Sequence, residues 1–120
     1  MKMNYTELDV WKSSRSLVKQ VYLLSALFPK DELYALTNQV KRSAVSIPSN
    51  IAEGLGRQSN KETIHFLYIS KGSLYELETQ LFLANDLEYV SKEKLDDILK
   101  QITTCKKLLN GFINYFKSKE

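Results

Sequence analysis

The chain has 120 residues, 43% of them hydrophobic and 26% charged, the balance of one ordinary globular domain over residues 1–120 and not of a disordered segment. Its 17 basic and 14 acidic residues leave a formal net charge of +3, too mild to announce nucleic acid by itself. Four glycines and two prolines supply little turn chemistry for a β-rich fold, no stretch approaches the roughly 20 apolar residues of a membrane span, and the single Cys105 excludes an internal disulfide.

Met1 to Tyr5 hold neither an apolar run nor a small-residue cleavage site, so the segment predicts no leader and a cytoplasmic protein. The first helix is expected over residues 6–27. Thr6 and Asp9 form a shortened capping box, and Val10, Leu17 and Leu24 recur every seven residues, flanked by Trp11, Val18 and Val21. Pro29 closes it, because the residue before a proline disfavours helical geometry.

The second helix is expected over residues 32–55, capped by Asp31. Leu33, Leu36, Val40, Ala44, Ile47, Ile51 and Leu55 keep one face inward for its whole length. Pro48 interrupts this pattern by removing the amide that would bond to the Ala44 carbonyl. Because the apolar register continues on both sides, the expectation is a kink and not a break. Gly54 and Gly56 supply the exit.

A third helix, residues 60–87, opens with the capping box Ser59 and Glu62. Leu67, Leu74 and Leu81 share one heptad position; Ser70, Leu77 and Ala84 share the facing one. The fourth, residues 92–116, opens at Ser91 and carries the stripe Leu95, Ile98, Ile102, Cys105, Leu109, Phe112 and Phe116. Gly111 weakens its last turns by about 1 kcal/mol relative to alanine. Four such helices with short links predict an all-α fold, an antiparallel up-down-up-down four-helix bundle with its second helix kinked at Pro48. A three-helix alternative requires a break at that proline or loss of the first helix.

Catalytic constellations are thin. Glu62-Thr63-Ile64-His65 has the Glu-x-x-His spacing of carboxylate-bridged metal bundles, but those need the motif twice, and this chain has one histidine; Glu62 as a cap partner explains it more simply. Cys105 lies on a core stripe, whereas a reactive thiolate needs exposure and positive charge. Gly54-Leu55-Gly56-Arg57 lacks the strand context and lysine of a phosphate loop and reads as a helix exit. The expectation is no enzyme, no metal, no cofactor and no small-molecule substrate.

Two surfaces remain. The third helix is apolar over too wide an arc: Tyr68, Tyr75, Phe82 and Tyr89 recur every seven residues, with Ile69 and Leu83 alongside. Either this helix is the most buried of the four, or its aromatics join subunits. Val45 and Ala52 lie far from the second helix's core face and favour the second reading, a homo-oligomer. Charge is also uneven. Residues 33–61 hold Lys41, Arg42, Arg57 and Lys61 against Glu53 alone, whereas residues 62–90 hold Lys71 against Glu62, Glu76, Glu78, Asp86 and Glu88. The four basic residues are candidate contacts for an RNA or DNA backbone, which needs only clustered Lys and Arg; Arg42 and Arg57 should share one side of the second helix. The other reading of a charge run is a solvated face. Ser46-Ile47-Pro48-Ser49-Asn50 is either a kinked turn whose serines satisfy carbonyls freed by Pro48 or a polar contact surface.

Gln39 to Gly54, QVKRSAVSIPSNIAEG, closely resembles the signature of the bacterial 23S rRNA intervening sequence proteins, also called S23 ribosomal proteins. Leu8-Asp9-Val10-Trp11, Phe28-Pro29 with Glu32-Leu33-Tyr34, Arg57-Gln58-Ser59 with Phe66-Leu67, and Gly72 to Leu81 agree, so the likeness covers nearly the whole chain. It implies a four-helix bundle assembled as a ring-shaped homopentamer, with no established activity. A similar fold occurs in the more basic accessory protein of diversity-generating retroelements, which binds nucleic acid and a reverse transcriptase. The family often has glycine where Ala35 and Glu88 stand. Alanine should stiffen the start of the second helix, and glutamate should remove the left-handed cap of the third. Two functional classes follow: an oligomeric accessory protein that binds RNA or DNA, and a protein-interaction scaffold that binds none.

Overall fold

Serine hydroxyls start two of the four helices. Ser59 accepts the Glu62 amide at 3.1 Å and Ser91 accepts the Lys94 amide at 3.2 Å, each filling an amide that the first turn leaves unpaired. The computed structural model describes residues 3–119; Met1 and Lys2, which open the segment expected to lack a leader, lie outside the described residues, as does Glu120. Four helices follow one another: α1 Asp9–Ser25, α2 Leu36–Leu55, α3 Asn60–Asp86 and α4 Lys92–Lys117. Short 3₁₀ turns at Tyr5–Glu7 and Lys30–Glu32 precede the first two. No strand occurs among the described residues.

Each helix packs on the next, and α1 closes the ring on α4; the backbones of the diagonal pairs stay apart, their side chains sharing one core. The contacts run in opposite senses along neighbours. On α3, Thr63, Ser70 and Ser73 meet Gly54, Ile47 and Ser46 of α2 in falling order. On α4, Lys106 lies over Tyr75 and Lys117 over Tyr68. Along these contacts α3 runs opposite to α2 and to α4, and the molecule is 46 Å long by 25 and 20 Å.

The core follows the expected registers with local exchanges. Leu67, Leu74, Leu81, Ser70, Leu77 and Ala84 of α3 are all buried. In α1, Val21 is buried and Leu24 only partly so, because the inward stripe steps through Val10, Ser14, Leu17, Val21 and Ser25. In α4, Ile113 replaces Phe112 between Leu109 and Phe116; both choices keep helical spacing, and tertiary packing selects the one aimed at the axis.

Three expectations about helix ends are corrected. Asn4, not Thr6, caps the chain's first turn, its side chain accepting the Thr6 amide at 3.1 Å; α1 starts after Leu8 with no side-chain cap, so Thr6 and Asp9 form no box. Asp31 caps nothing in α2, which begins four residues later than expected, at Leu36. Glu32 reaches forward instead and accepts the Leu36 amide at 3.3 Å. Leu33 is consequently half exposed, and Ala35 stands at the N-cap position of α2. Glu88 does not abolish the left-handed cap. It adopts it, at φ 66°, and its amide bonds to Asn85 O while the Tyr89 amide bonds to Ala84 O, both at 2.9 Å. This is the double bond pattern of a Schellman cap, built on a residue that pays a steric cost glycine avoids.

Helix α2 continues through Pro48 without a break. It approaches α3 closely at Gly54, where a Cβ would stand 2.9 Å from Phe66 Cβ and 3.1 Å from Thr63 O. Backbone stands on one side of that contact, so it cannot yield cheaply. Gly54→Ala should therefore destabilise the fold by about 2 kcal/mol, and Glu88→Gly should stabilise it by about 1 kcal/mol. Urea unfolding midpoints of the two variants should move in opposite directions with similar m-values.

Candidate functional site

The four candidate nucleic-acid residues fall into two separated groups. Lys41 and Arg42 stand in the first half of α2, while Arg57 and Lys61 flank the α2–α3 turn, about 20 Å away along a helix rising 1.5 Å per residue. Arg57 lies beyond the end of α2 and so does not share a helix side with Arg42. It folds back to pair with Glu53, with its guanidinium carbon 4.6 Å from the Phe66 ring centre. Lys41 lies 4.8 Å from the ring centre of Tyr22. Arg42 and Lys61 are exposed and join none of the ion pairs found among the described residues.

The aromatic row of α3 is exposed as a row. Tyr68, Tyr75 and Phe82 are 41%, 49% and 47% exposed, and Ile69 and Leu83 stand beside them. One residue every two turns places the rings about 10 Å apart along one ridge. Lysines that the heptad pattern did not single out flank it. Lys71 and Lys117 lie 5.9 and 5.1 Å from the Tyr68 ring centre. Lys106 lies 4.4 Å from that of Tyr75 and donates to both Glu78 oxygens at 2.8 Å. Such cations rest on the electron-rich ring faces. Lys71 is three residues from Tyr68 on the same helix, whereas only a folded α3–α4 pair brings Lys106 and Lys117 there, so spacing within one helix could not reveal those two.

Tyr89 departs from the row. It follows the end of α3, is half-buried, and packs on Phe28 with ring centres 5.6 Å apart. Its hydroxyl donates to Glu32 at 2.7 Å, and that bond to a carboxylate is the main reason the phenol is harder to ionise than usual. Tyr89 thus ties the α1–α2 link to the α3–α4 link. Val45 is exposed and Ala52 half-buried; they border a shallow recess with Trp11 and Val18. They face the α1 side of α2, away from the α3 ridge, and the six candidate interface residues therefore form no single patch.

Around Pro48 the polar groups bond to carbonyls other than the one the proline frees. Asn50 Nδ2 donates to Ser46 O at 2.8 Å and Ser46 Oγ at 2.9 Å, and Ser70 Oγ donates to Ile47 O at 2.7 Å. The segment is a seam between α2 and α3, with Ser49 on the outside.

Cys105 is buried, its Sγ 3.0 Å from Ser13 Oγ. Burial pushes the thiol above its ordinary value, against a smaller lowering by the Ser13 hydroxyl. Such a thiol is neutral at physiological pH and poorly nucleophilic. Glu62 is engaged with Ser59 at the start of α3, and His65 is exposed with its ring edge-on to Phe66. Among the described residues, no three His, Cys, Asp or Glu side chains gather as a metal site. None of the described helices is long and apolar enough to cross a membrane.

Residues 6–111 match the family model of the 23S rRNA-intervening sequence protein. Among solved structures, the fold is similar to a protein of unknown function from the S23 ribosomal protein family of Bacteroides thetaiotaomicron. The two share 28% identity with a TM-score of 0.80 over 87% of this chain and 97% of that one. No curated protein matches the sequence.

The Cys105 environment sets a pH dependence. With its folded pKa raised, the thiol contributes stability that is fully present below the unfolded value of 9.0 and lost as pH rises through the folded one. Stability of the wild type should therefore fall more steeply above pH 9 than that of Cys105→Ala, in chemical unfolding from pH 7 to 10. A thiol reagent at neutral pH should label Cys105 only as fast as the bundle opens.

Proposed function

We propose that this chain, which belongs to the 23S rRNA-intervening sequence protein family, is a non-enzymatic homo-oligomer that serves as an accessory factor for RNA or DNA. The observation that carries the assembly is the exposed ridge of Tyr68, Tyr75 and Phe82 with Ile69 and Leu83. Core packing within one subunit already uses the opposite face of α3, so these side chains gain nothing from the fold that contains them. Contiguous exposed aromatics of this kind are the anchors of protein interfaces, and self-association repeats one such patch around a closed symmetry. A homopentameric ring is the form of closure that the family resemblance supports.

Nucleic-acid binding is supported by Arg42 and Lys61, exposed cations without a carboxylate partner among the described residues. A ring would repeat them, and their fields would add. The rival reading, a scaffold for protein partners alone, is favoured by the pairing of Arg57 with Glu53 and of Lys106 with Glu78, which removes two cations from the field a phosphate backbone would meet.

Light scattering coupled to size exclusion separates the two parts. The wild type should run as one oligomer, and Tyr75→Glu with Phe82→Glu should give a folded monomer. A monomeric wild type at high concentration would sink the assembly. Fluorescence anisotropy with a structured RNA should give affinity that falls about tenfold or more between roughly 50 and 200 mM salt and weakens on reversing Arg42 and Lys61 to glutamate. Absence of binding at low salt leaves the protein scaffold as the reading.

A further inference from the structure

On the outer surface between α2 and α3 runs a polar groove of about 520 Å³, lined chiefly by Arg42, Ser43 and Ser46 of α2 and by Ser73, Glu76 and Gln80 of α3. Its two walls differ in chemistry. The α2 wall carries the cation, beside Gln39, whose amide both donates and accepts. Arg42 is exposed and joins no ion pair among the described residues, and Ser46 Oγ already accepts from Asn50 Nδ2 and from Ser73 Oγ, both at 2.9 Å, which leaves its own proton to donate. The α3 wall offers acceptors, Glu76 and Gln80, one helical turn apart and hence on the same face.

Gln80 is the anomaly. The residue is only 9% exposed, and its Oε1 is cut off from solvent without a hydrogen-bond partner. A buried acceptor left unpaired is costly and rare, and Gln80 is one of the residues lining the groove, so a turn of its side chain would bring Oε1 to the opening. Arg42 and Glu76 face the same groove without forming an ion pair.

We propose that this groove binds a free α-amino acid. Arg42, helped by the Ser46 hydroxyl, takes the carboxylate; Glu76 receives the ammonium group, and the Gln80 side chain turns outward so that Oε1 accepts from it too. The two ends of a zwitterion then meet walls of opposite character. A phosphate would meet Glu76 beside it, and a metal cation would meet the Arg42 guanidinium with one carboxylate to hold it, so neither fits as well. The sequence alone carried no sign of the groove, because its walls come from helices about 30 residues apart.

Thermal unfolding of the full chain with each of the twenty common amino acids at about 10 mM tests this. At least one should raise Tm by about 3 °C or more. Arg42→Ala and Glu76→Gln should each abolish that rise while leaving the unliganded Tm close to wild type, since both side chains are exposed. Gln80→Leu should raise the unliganded Tm and abolish the response. The proposal fails if no amino acid raises Tm, if the rise survives Arg42→Ala or Glu76→Gln, or if Gln80→Leu leaves the unliganded protein no more stable. Loss of nucleic-acid binding has a different signature: Glu76→Gln removes a negative charge and should not weaken it.

Discussion

The seam between α2 and α3 is the constraint on which the rest of the structure depends. Glycine at position 54 lets the two backbones meet, and three hydroxyls of α3 close the gap. Thr63 donates to Gly54 O at 2.8 Å, Ser70 to Ile47 O at 2.7 Å, and Ser73 to Ser46 Oγ at 2.9 Å. Each hydroxyl is buried, so each needs its partner, and the partners lie on the facing helix. An apolar seam could slide by a turn at modest cost; this one cannot, because a shift would orphan three buried donors at once. Hydroxyl-to-carbonyl bonds also allow α2 to keep a proline in its middle while staying docked along its length.

Fixing that seam fixes how α3 is rotated about its own axis. With Thr63, Ser70 and Ser73 committed to α2, and Leu67, Leu74 and Leu81 to the bundle axis, Tyr68, Tyr75 and Phe82 have only the outer surface left. The exposed ridge is thus a consequence of the polar seam. The same rotation puts the ridge next to α4, where Lys106 and Lys117 settle over the tyrosine rings. It also turns Glu76 and Gln80 toward Arg42 across the outer groove. One helix therefore presents three environments around its circumference: an apolar core face, a hydroxylated flank, and an aromatic outer face edged with cations.

Charge follows geometry here more than composition. A net charge of +3 says little, and the local arrangement decides which cations are available. Arg57 is drawn to Glu53 one turn back and stacks on Phe66; Lys106 is held by Glu78 in a half-buried pair. Arg42 has no such neighbour on its own helix, since Asn38 and Ser46 occupy the positions four residues away. Of the four candidate contacts, those outside an ion pair therefore sit at two separated places along the bundle.

Much of this was legible in the residues. Four runs of helical periodicity, the serine caps at Ser59 and Ser91, and the core registers of α2 and α3 depend on interactions within a few residues, which a linear pattern records directly. The start of α2, the left-handed Glu88, the exchange of Phe112 for Ile113 in the α4 core, and the detour of Tyr89 to Glu32 were not legible. Each depends on a surface supplied by a distant segment. The heptad rows of α3 were visible, and the inward one among them, but a sequence does not say which neighbouring helix each flank of α3 meets. That choice belongs to the tertiary structure, because it rests on buried hydroxyls of one helix finding carbonyls on another, and the sign of that match cannot be read from either helix alone.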